Sequence, residues 1–435
     1  MGDTIFAAAS APGRAGVAVV RVSGPGAGGA LESLTGQPLP GPRQAVLRRL
    51  AWEGEEIDRA LVLWFPVPAS FTGEDVAEFH IHGGRAAREG LFAALAALGL
   101  RPAEAGEFSR RAVENGRLDL TRAEAIADLV DAETPGQLRQ ALRQYDGALA
   151  ALYEDWRAAL IRALGRAEAA IDFSDDGVGE KEFMAAKNAA QHIAQQIIEH
   201  IDDSRRGEIL REGLRLTILG PPNAGKSSLL NHLARRDVAI VSEIPGTTRD
   251  VLEVRLDLGG YLVQVADTAG VRDARDVIEA EGVRRALARA SEGDLTLLLL
   301  DGSAADPYAG LPALPPADLT VWNKADLEFP AARQGLAISL KSGAGLGELM
   351  DALTAMVQAR LDRSDGGPLL TRPRHRHALT QAYAALQHGL TAPADRPELL
   401  AEDLRLAMRQ VGRITGQVDV EELLDFVFRD FCIGK

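Results

Sequence analysis

A strand-like run, Leu214–Leu219, leads directly into Gly220-Pro221-Pro222-Asn223-Ala224-Gly225-Lys226-Ser227. This is G-x-x-x-x-G-K-S, and it leaves the chain around it little choice of fold. A short strand must stop, a loop must turn its backbone N–H groups inward, and a helix must start near the lysine. That order of elements belongs to a parallel α/β sheet. The inward N–H groups and the positive helix end together make a cradle for phosphate. Lys226 is expected to reach the outer phosphates and Ser227 to coordinate Mg²⁺, with Asn223, Ala224, Gly225 and Ser228 completing the loop.

Further elements follow in a fixed order. Ser242-Glu243-Ile244-Pro245-Gly246-Thr247-Thr248 is expected to line the nucleotide, Thr248 offering a second hydroxyl to Mg²⁺. Asp267-Thr268-Ala269-Gly270 follows an apolar strand; its Asp suits a metal-bound water and its Gly the terminal phosphate. Asn323-Lys324-Ala325-Asp326 ends another strand, and Ser339-Leu340-Lys341 fits the loop that backs the base. Asp326 carries the base choice. An ionised carboxylate only accepts hydrogen bonds, so it pairs with the two donors on the Watson–Crick edge of guanine, where adenine offers the wrong pattern. This set resembles the translation-factor-like GTPases.

One position departs from the Ras-like pattern. A Gln that orients the attacking water is expected directly after the D-x-x-G element, and Val271 stands there. The site then needs another water-orienting group and a positive charge at the transition state. Asn223 is placed to help hold a monovalent cation. Asp273, Asp276, Glu279 and Glu281 are the nearby acids.

The rest of the chain changes pattern around this domain. Residues 1–117 mix short β-like runs (17–22, 60–65, 76–81) with Gly/Pro turns, an α+β domain. Residues 118–212 read as helical. Thr134, Pro135 and Gln137 make a helix start, after which Leu138, Leu142, Tyr145, Leu149, Leu152 and Trp156 predict one continuous seam. Phe183, Ala186, Ala190, Ile193, Ile197 and Ile201 predict a second. After the α/β stretch at 213–364 the chain is helical again over 365–435, with Leu400, Leu404, Met408 and Val411, then a cap at Asp419 followed by Val420, Leu423, Val427 and Phe431. The expected fold is multidomain α/β: an N-terminal α+β domain, and a helical domain into which a Ras-like α/β GTPase domain is inserted.

Composition narrows the surroundings. With 435 residues the chain has room for several cores, and its net charge of −14 does not draw it onto nucleic acid, so an RNA contact needs a local basic patch or a partner. Cys432 is the lone cysteine, which excludes an intramolecular disulfide and fits a reducing, cytoplasmic setting. The first ten residues lack the basic start of a signal peptide, and the most apolar run, 295–300, is too short to span a bilayer, so no membrane role is expected. Gly24-Pro25-Gly26-Ala27-Gly28-Gly29 nominally matches a dinucleotide fingerprint, but Pro25 and the Pro/Gly-rich stretch at 36–42 favour a turn. Cys432 sits at the position of a prenylation site, yet Gly434 and Lys435 do not suit one. The run Arg372-Pro373-Arg374-His375-Arg376-His377 reads as a solvated linker, with RNA contact as the rival.

Over nearly its whole length the chain is similar to the MnmE (TrmE) family of tRNA-modification GTPases. The matching stretches are Ala11-Pro-Gly-Arg-Ala-Gly-Val, Phe71-Thr-Gly-Glu-Asp, His82-Gly-Gly, Gly106-Glu-Phe-Ser, Leu118-Asp-Leu, Ala123-Glu-Ala-Ile-Ala-Asp-Leu, Asn223-Ala-Gly-Lys-Ser-Ser-Leu-Leu-Asn, Gly246-Thr-Thr-Arg-Asp-Val-Leu and the terminal Cys432-Ile-Gly-Lys. The resemblance implies a homodimer, and a heterotetramer with the flavoprotein MnmG, which carries the flavin. The pair would add an aminomethyl or carboxymethylaminomethyl group to C5 of the wobble uridine of certain tRNAs, the tRNA being met mainly through the partner. It implies a reduced folate as one-carbon donor, 5-formyltetrahydrofolate or 5,10-methylenetetrahydrofolate. It further implies K⁺ at Asn223, Ser242, Ile244 and Thr247, Glu279 acting on the hydrolytic water, and Arg21, Glu78, Arg117 and Lys435 at the folate. A carboxylate such as Glu78 suits the pterin edge, and Arg21 or Arg117 the glutamyl tail. Cys432 is expected near the one-carbon unit, in a catalytic or positioning role. A regulatory GTPase that switches on a ribosome or RNA without tRNA chemistry is the alternative.

Overall fold

The computed structural model describes residues 3–173, 178–203, 205–236, 238–240, 253–267, 293–309, 317–327, 335–362 and 367–418, with 424, 427, 428, 431 and 434. The chain falls into two compact units, one comprising Met1–Ala127, Gln144–Ala194 and Gln381–Lys435, the other Asp128–Arg143 and Gln195–Thr380.

The first unit opens with a six-stranded sheet: β1 (Ile5–Ala8), β2 (Ala15–Ser23), β3 (Val46–Trp52), β4 (Glu55–Phe65), β5 (Val76–Gly83) and β6 (Arg101–Pro102), in the order β3-β4-β5-β2-β1-β6. Period-two alternation decides its faces. Val20 and Val22 on β2 and Phe79 and Ile81 on β5 point to a core shared with helices α1 (Ala27–Thr35) and α2 (Arg85–Ala97), through Leu31, Leu34, Leu91 and Leu95. The intervening Arg21 and Glu78 stand on the opposite face, where Ile5, Ala7 and Phe108 of α3 (Glu107–Glu114) pack with Phe71. The three β-like runs of the sequence lie within β2, β4 and β5. The glycine run after β2 is a turn leading into α1. Both sheet neighbours of β2 are antiparallel to it, so the parallel unit that a dinucleotide fingerprint requires is not formed there.

The predicted single seam from Leu138 to Trp156 is interrupted. Helix α5 (Pro135–Tyr145) stops, Gly147 takes φ 92°, and α6 (Ala148–Asp172) begins. Leu138, Leu142 and Tyr145 are exposed, whereas α6 buries Leu149, Tyr153, Trp156 and Leu160. The left-handed residue ends the helical hydrogen-bond run, so a stripe continuous in sequence does not belong to one helix. The start of α5 is as expected: Gln137 N donates to Thr134 Oγ1 (3.4 Å) and Thr134 N donates to Gln137 Oε1 (3.1 Å), a capping box. The second stripe holds, with Phe183, Ala186, Ala190, Ile193 and Ile197 of α7 (Val178–Ile201) buried.

The second unit carries another six-stranded sheet: β7 (Leu214–Leu219), β8 (Glu253–Leu258), β9 (Tyr261–Asp267), β10 (Leu295–Asp301), β11 (Leu319–Asn323) and β12 (Leu336–Ala337), in the order β12-β11-β10-β7-β9-β8. All pairs are parallel except β8 with β9. Helix α8 (Arg206–Glu212) precedes the sheet, while α9 (Lys226–Leu233) and α10 (Leu346–Leu361) cover it. Buried on both faces, β10 reads as a solid leucine run rather than an alternation, as parallel strands do.

The basic run at 372–377 is not a solvated linker. It starts helix α11 (Pro373–Gly389), with Arg372 on Asp128 (2.7 Å) and Arg376 on Asp203 (2.7 Å) and Glu208 (2.9 Å). His375 is fully buried. Charges that read as free in sequence are spent inside the unit.

In the first unit, α12 (Pro397–Thr415) packs along α6 and buries Leu400, Leu404 and Val411, with Ala407 in the place expected for Met408. Near the chain end Leu424, Val427, Phe428 and Phe431 join Leu120 and Ala123 of α4 (Leu120–Asp131) in one apolar cluster. The expected cap and stripe positions Asp419, Val420 and Leu423 lie outside the described residues.

Candidate nucleotide-binding site

The phosphate loop lies between β7 and α9, at the edge formed by the carboxyl ends of the parallel strands. β7 is flanked by β9 on one side and β10 on the other. The connection after β7 leads to the β9 side and the one after β9 returns to β10 on the other side, and such a switch point opens a crevice for a ligand. Asn223 takes the left-handed conformation, φ 63°, which Asn tolerates better than most residues. Lys226 Nζ donates to the carbonyl oxygens of Gly220 (2.8 Å) and Pro221 (2.9 Å), so the ammonium lies across the loop. Ser227 and Ser228 occupy the first turn of α9.

Asn323 ties the loop to the base-reading segments. Its Nδ2 donates to Ala224 O (2.8 Å), and its Oδ1 accepts from Leu340 N (3.2 Å). The approach requires glycine at 225, where a Cβ would stand 2.4 Å from Asn323 Nδ2. Asp326 Oδ1 accepts from Ser339 Oγ (2.6 Å), and Ser339 Oγ accepts in turn from Ser342 N (3.1 Å). The Ser339 hydroxyl, aided by nearby Lys341, holds the Asp326 carboxyl below its ordinary range. It is therefore ionised near neutrality and accepts only, as the reading of guanine requires. Lys324 Nζ donates to Asp301 Oδ2 (2.5 Å) at the end of β10. Burial pushes the Asp301 carboxyl up, but Lys324 and Ser303 outweigh it and the net direction is down. Asp301 was missed in the sequence; its signal is a lone acid ending a buried leucine strand.

The backbone of Asp267 ends β9, in register with Ile218 of β7. Among the described residues no group of three or more His, Cys, Asp or Glu side chains is set to hold a metal. Ser227, in the first turn of α9 beside the phosphate loop, offers the kind of single protein oxygen that suits a Mg²⁺ ion held otherwise by phosphates and water. The expected site residues Ser242, Glu243, Ile244, Pro245, Gly246, Thr247, Thr248, Thr268, Ala269, Gly270 and Glu279, with Val271, lie outside the described residues.

In the other unit the sheet brings Arg21 and Glu78 together as direct cross-strand partners. Arg21 Nη2 donates to Glu78 Oε1 at 2.9 Å and Nε at 3.0 Å. The guanidinium carbon lies 5.3 Å from the centroid of Phe71 and 5.8 Å from that of Phe108. His80 Nε2 lies 3.3 Å from the second Glu78 oxygen. Arg117 is not in this pair; its stem runs beside Gly73, where a Cβ would stand 3.1 Å from Arg117 Cγ. Gly434 packs on the carbonyl of Ala8, and Ala8 is next to the residue paired with Arg21. Lys435 and Cys432 lie outside the described residues. The aromatic shelf of Phe71 and Phe108 was not singled out in the sequence, though both lie in stretches that carry the family resemblance.

Comparison with known proteins agrees with this architecture. The model of the GTP-binding protein TrmE N-terminus matches residues 4–117, and that of the MnmE helical domain matches residues 120–432. A protein named tRNA modification GTPase MnmE from Paramagnetospirillum magneticum is 55% identical, covering 100% of both chains. Its namesake from Rhodospirillum rubrum is 54% identical over 100% of this chain and 99% of that one. This chain belongs to the MnmE family. Among solved structures, the G domain of the T. maritima FeoB iron transporter is 20% identical with a TM-score of 0.25, covering 33% of this chain and 99% of that one. The family's multidomain α/β plan is present here: a TrmE N-terminal domain, the MnmE helical domain, and a GTPase sheet between the helical segments. No helix among the described residues is long and apolar enough to cross a membrane.

Proposed function

We propose that this chain is the GTP-hydrolysing subunit of a cytoplasmic tRNA-modifying complex. As a homodimer, joined by the flavoprotein MnmG, it adds an aminomethyl or carboxymethylaminomethyl group to C5 of the wobble uridine. A reduced folate supplies the carbon. The observation that carries the guanine-nucleotide part is the Asp326 carboxylate, held ionised by Ser339 in a loop that Asn323 fixes to the phosphate cradle.

In this reading Lys226 and the loop N–H groups neutralise the outer phosphates. Ser227 and Thr248 would hold Mg²⁺, which when bound supplies charge to the β- and γ-oxygens. Asn223, Ser242, Ile244 and Thr247 would hold K⁺, which supplies the positive charge that an arginine gives elsewhere. Glu279 takes the water-orienting task that Val271 cannot perform. In this reading residues 1–117 bind folate and dimerise, 118–212 with 365–435 form the helical domain, and 213–364 are the GTPase.

The folate reading draws support from the Arg21–Glu78 pair on its aromatic shelf and from Gly434 beside Ala8. Because Arg21 touches Glu78, both serve the same end of the ligand, the pterin edge. This leaves Arg117, rather than Arg21, for the glutamyl carboxylate. In this reading Cys432 would act at the one-carbon unit, a cation such as Lys435 favouring its thiolate. Reconstitution tests the whole reading: the chain, MnmG with its flavin, GTP, Mg²⁺, K⁺, a reduced folate, an amine donor (ammonium or glycine) and unmodified tRNA should yield C5-modified uridine. Omitting the folate, or changing Cys432→Ser, should abolish the product while GTP hydrolysis continues. Full product without folate would contradict the folate assignment, and normal modification by Cys432→Ser would leave the thiol no chemical role.

A further inference from the structure

The stretches around Arg14 and His82, both part of the family resemblance, have no task in the account above. The sheet brings them together. Ala15 pairs with Gly83 where β2 begins and β5 ends, and a Cβ on Gly83 would stand 2.5 Å from Ala15 O, so only glycine permits this approach. Beside them lies an open crevice of about 510 Å³ in which Arg14, Arg85 and Arg88 surround a floor of Gly13, Gly83 and Gly84. Arg85 is engaged by Glu89 at 2.7 Å. Among the described residues Arg14 and Arg88 have no side-chain hydrogen bond or ion pair. Asp58 on the neighbouring strand β4 is occupied by His82, accepting from its backbone N (2.7 Å) and lying 2.8 Å from its Nδ1. Helix α2 starts at this crevice with no side-chain cap and no acid in its first turn.

We infer that this crevice is a phosphodiester-binding site through which the N-terminal unit grips the backbone of an RNA substrate. The inference rests on the tRNA reading proposed above. Two unpaired guanidiniums, uncapped N–H groups and the positive end of a helix are chemistry for phosphate oxygens. The glycine floor offers no aromatic surface for stacking a base and no carboxylate or amide to read a base edge, so the contact is to backbone and sequence-independent. An open crevice suits a phosphate carried on a long strand. On a chain of net charge −14 such a patch is the local exception that an RNA contact needs. The other basic run, at 372–377, is consumed by Asp128, Asp203 and Glu208.

The test is fluorescence anisotropy of the full chain with a labelled tRNA anticodon stem-loop over a series of salt concentrations. Joint Arg14→Ala and Arg88→Ala substitution should weaken binding by about tenfold at low salt and lower the log–log salt slope by about 1.5 to 2, the value for two lost phosphate contacts. The paired Lys variants should keep most of the slope. Arg162→Ala, an exposed arginine on α6, should change neither quantity. GTP hydrolysis at the wild-type rate by the Ala pair shows that the fold is intact. Unchanged affinity and slope in the Ala pair, an equal loss in Arg162→Ala, or a wild-type chain that does not bind the stem-loop would each overturn the inference. None of these outcomes touches the tRNA-modification reading, which is decided separately by the wobble nucleoside itself.

Discussion

The proposed function gives Asp326, Asn323 and Asn223 three different jobs within one site. Asp326→Asn replaces an acceptor with a donor facing the donors of guanine, so preference should move from GTP toward xanthosine triphosphate in competition binding. Retention of the wild-type GTP margin would mean that another group reads the base. The pH dependence has a definite sign. The Asp326 carboxyl is depressed by Ser339, so its contribution to guanine binding is complete above the ordinary carboxylate range and is lost as pH falls through the depressed value. Ser339→Ala should shift that loss to higher pH, measured as GDP affinity against pH. Asn323 is buried and joins two loops. Asn323→Ala leaves Ala224 O and Leu340 N without those partners and should lower stability by about 2–4 kcal/mol, read from the unfolding transition of the second unit. Asn223 bears on the cation. K⁺ should accelerate GTP hydrolysis well above the rate in Na⁺, and Asn223→Ala should remove the difference; equal rates in the two salts would contradict the K⁺ assignment. The contacts of Asn323 and Asp326 follow motifs that were legible because each is written in a few adjacent residues. The Arg21–Glu78 contact was not, because 57 residues separate the partners and only the strand register joins them.

At the scale of elements, local signals and tertiary signals were unequally readable. The Thr134–Gln137 box and the left-to-right order of strand, loop and helix at 214–233 are dictated by neighbours in sequence and are seen in the structure. The seam from Leu138 to Trp156 misled because spacing reports a face only while the helix continues. Gly147 ends that continuity at φ 92°, a left-handed conformation that costs an L side chain about 1–2 kcal/mol. Gly147→Ala should therefore destabilise the first unit by about 1–3 kcal/mol, against the gain that Gly→Ala gives inside an ordinary helix. A rise in the denaturation midpoint would mean that the two helices can fuse. The 372–377 run misled for a related reason. Its arginines look solvated until Asp128, Asp203 and Glu208, distant in sequence, are folded against them.

For the whole molecule, the order of patterns along the chain conveyed the plan: an α+β start, helices, a parallel α/β stretch and helices again. Matches to the TrmE N-terminal and MnmE helical models agree with that plan. The central claim joins the GTPase site to chemistry on tRNA, and one measurement addresses it directly. Total tRNA is taken from cells lacking this chain and from the same cells supplied with the wild-type chain or with Lys226→Ala, and its nucleosides are quantified by mass spectrometry. The account expects C5-aminomethyl-type wobble uridine to disappear without the chain, return with the wild type and stay absent with Lys226→Ala. Wobble uridine that remains fully modified in cells lacking the chain would contradict it.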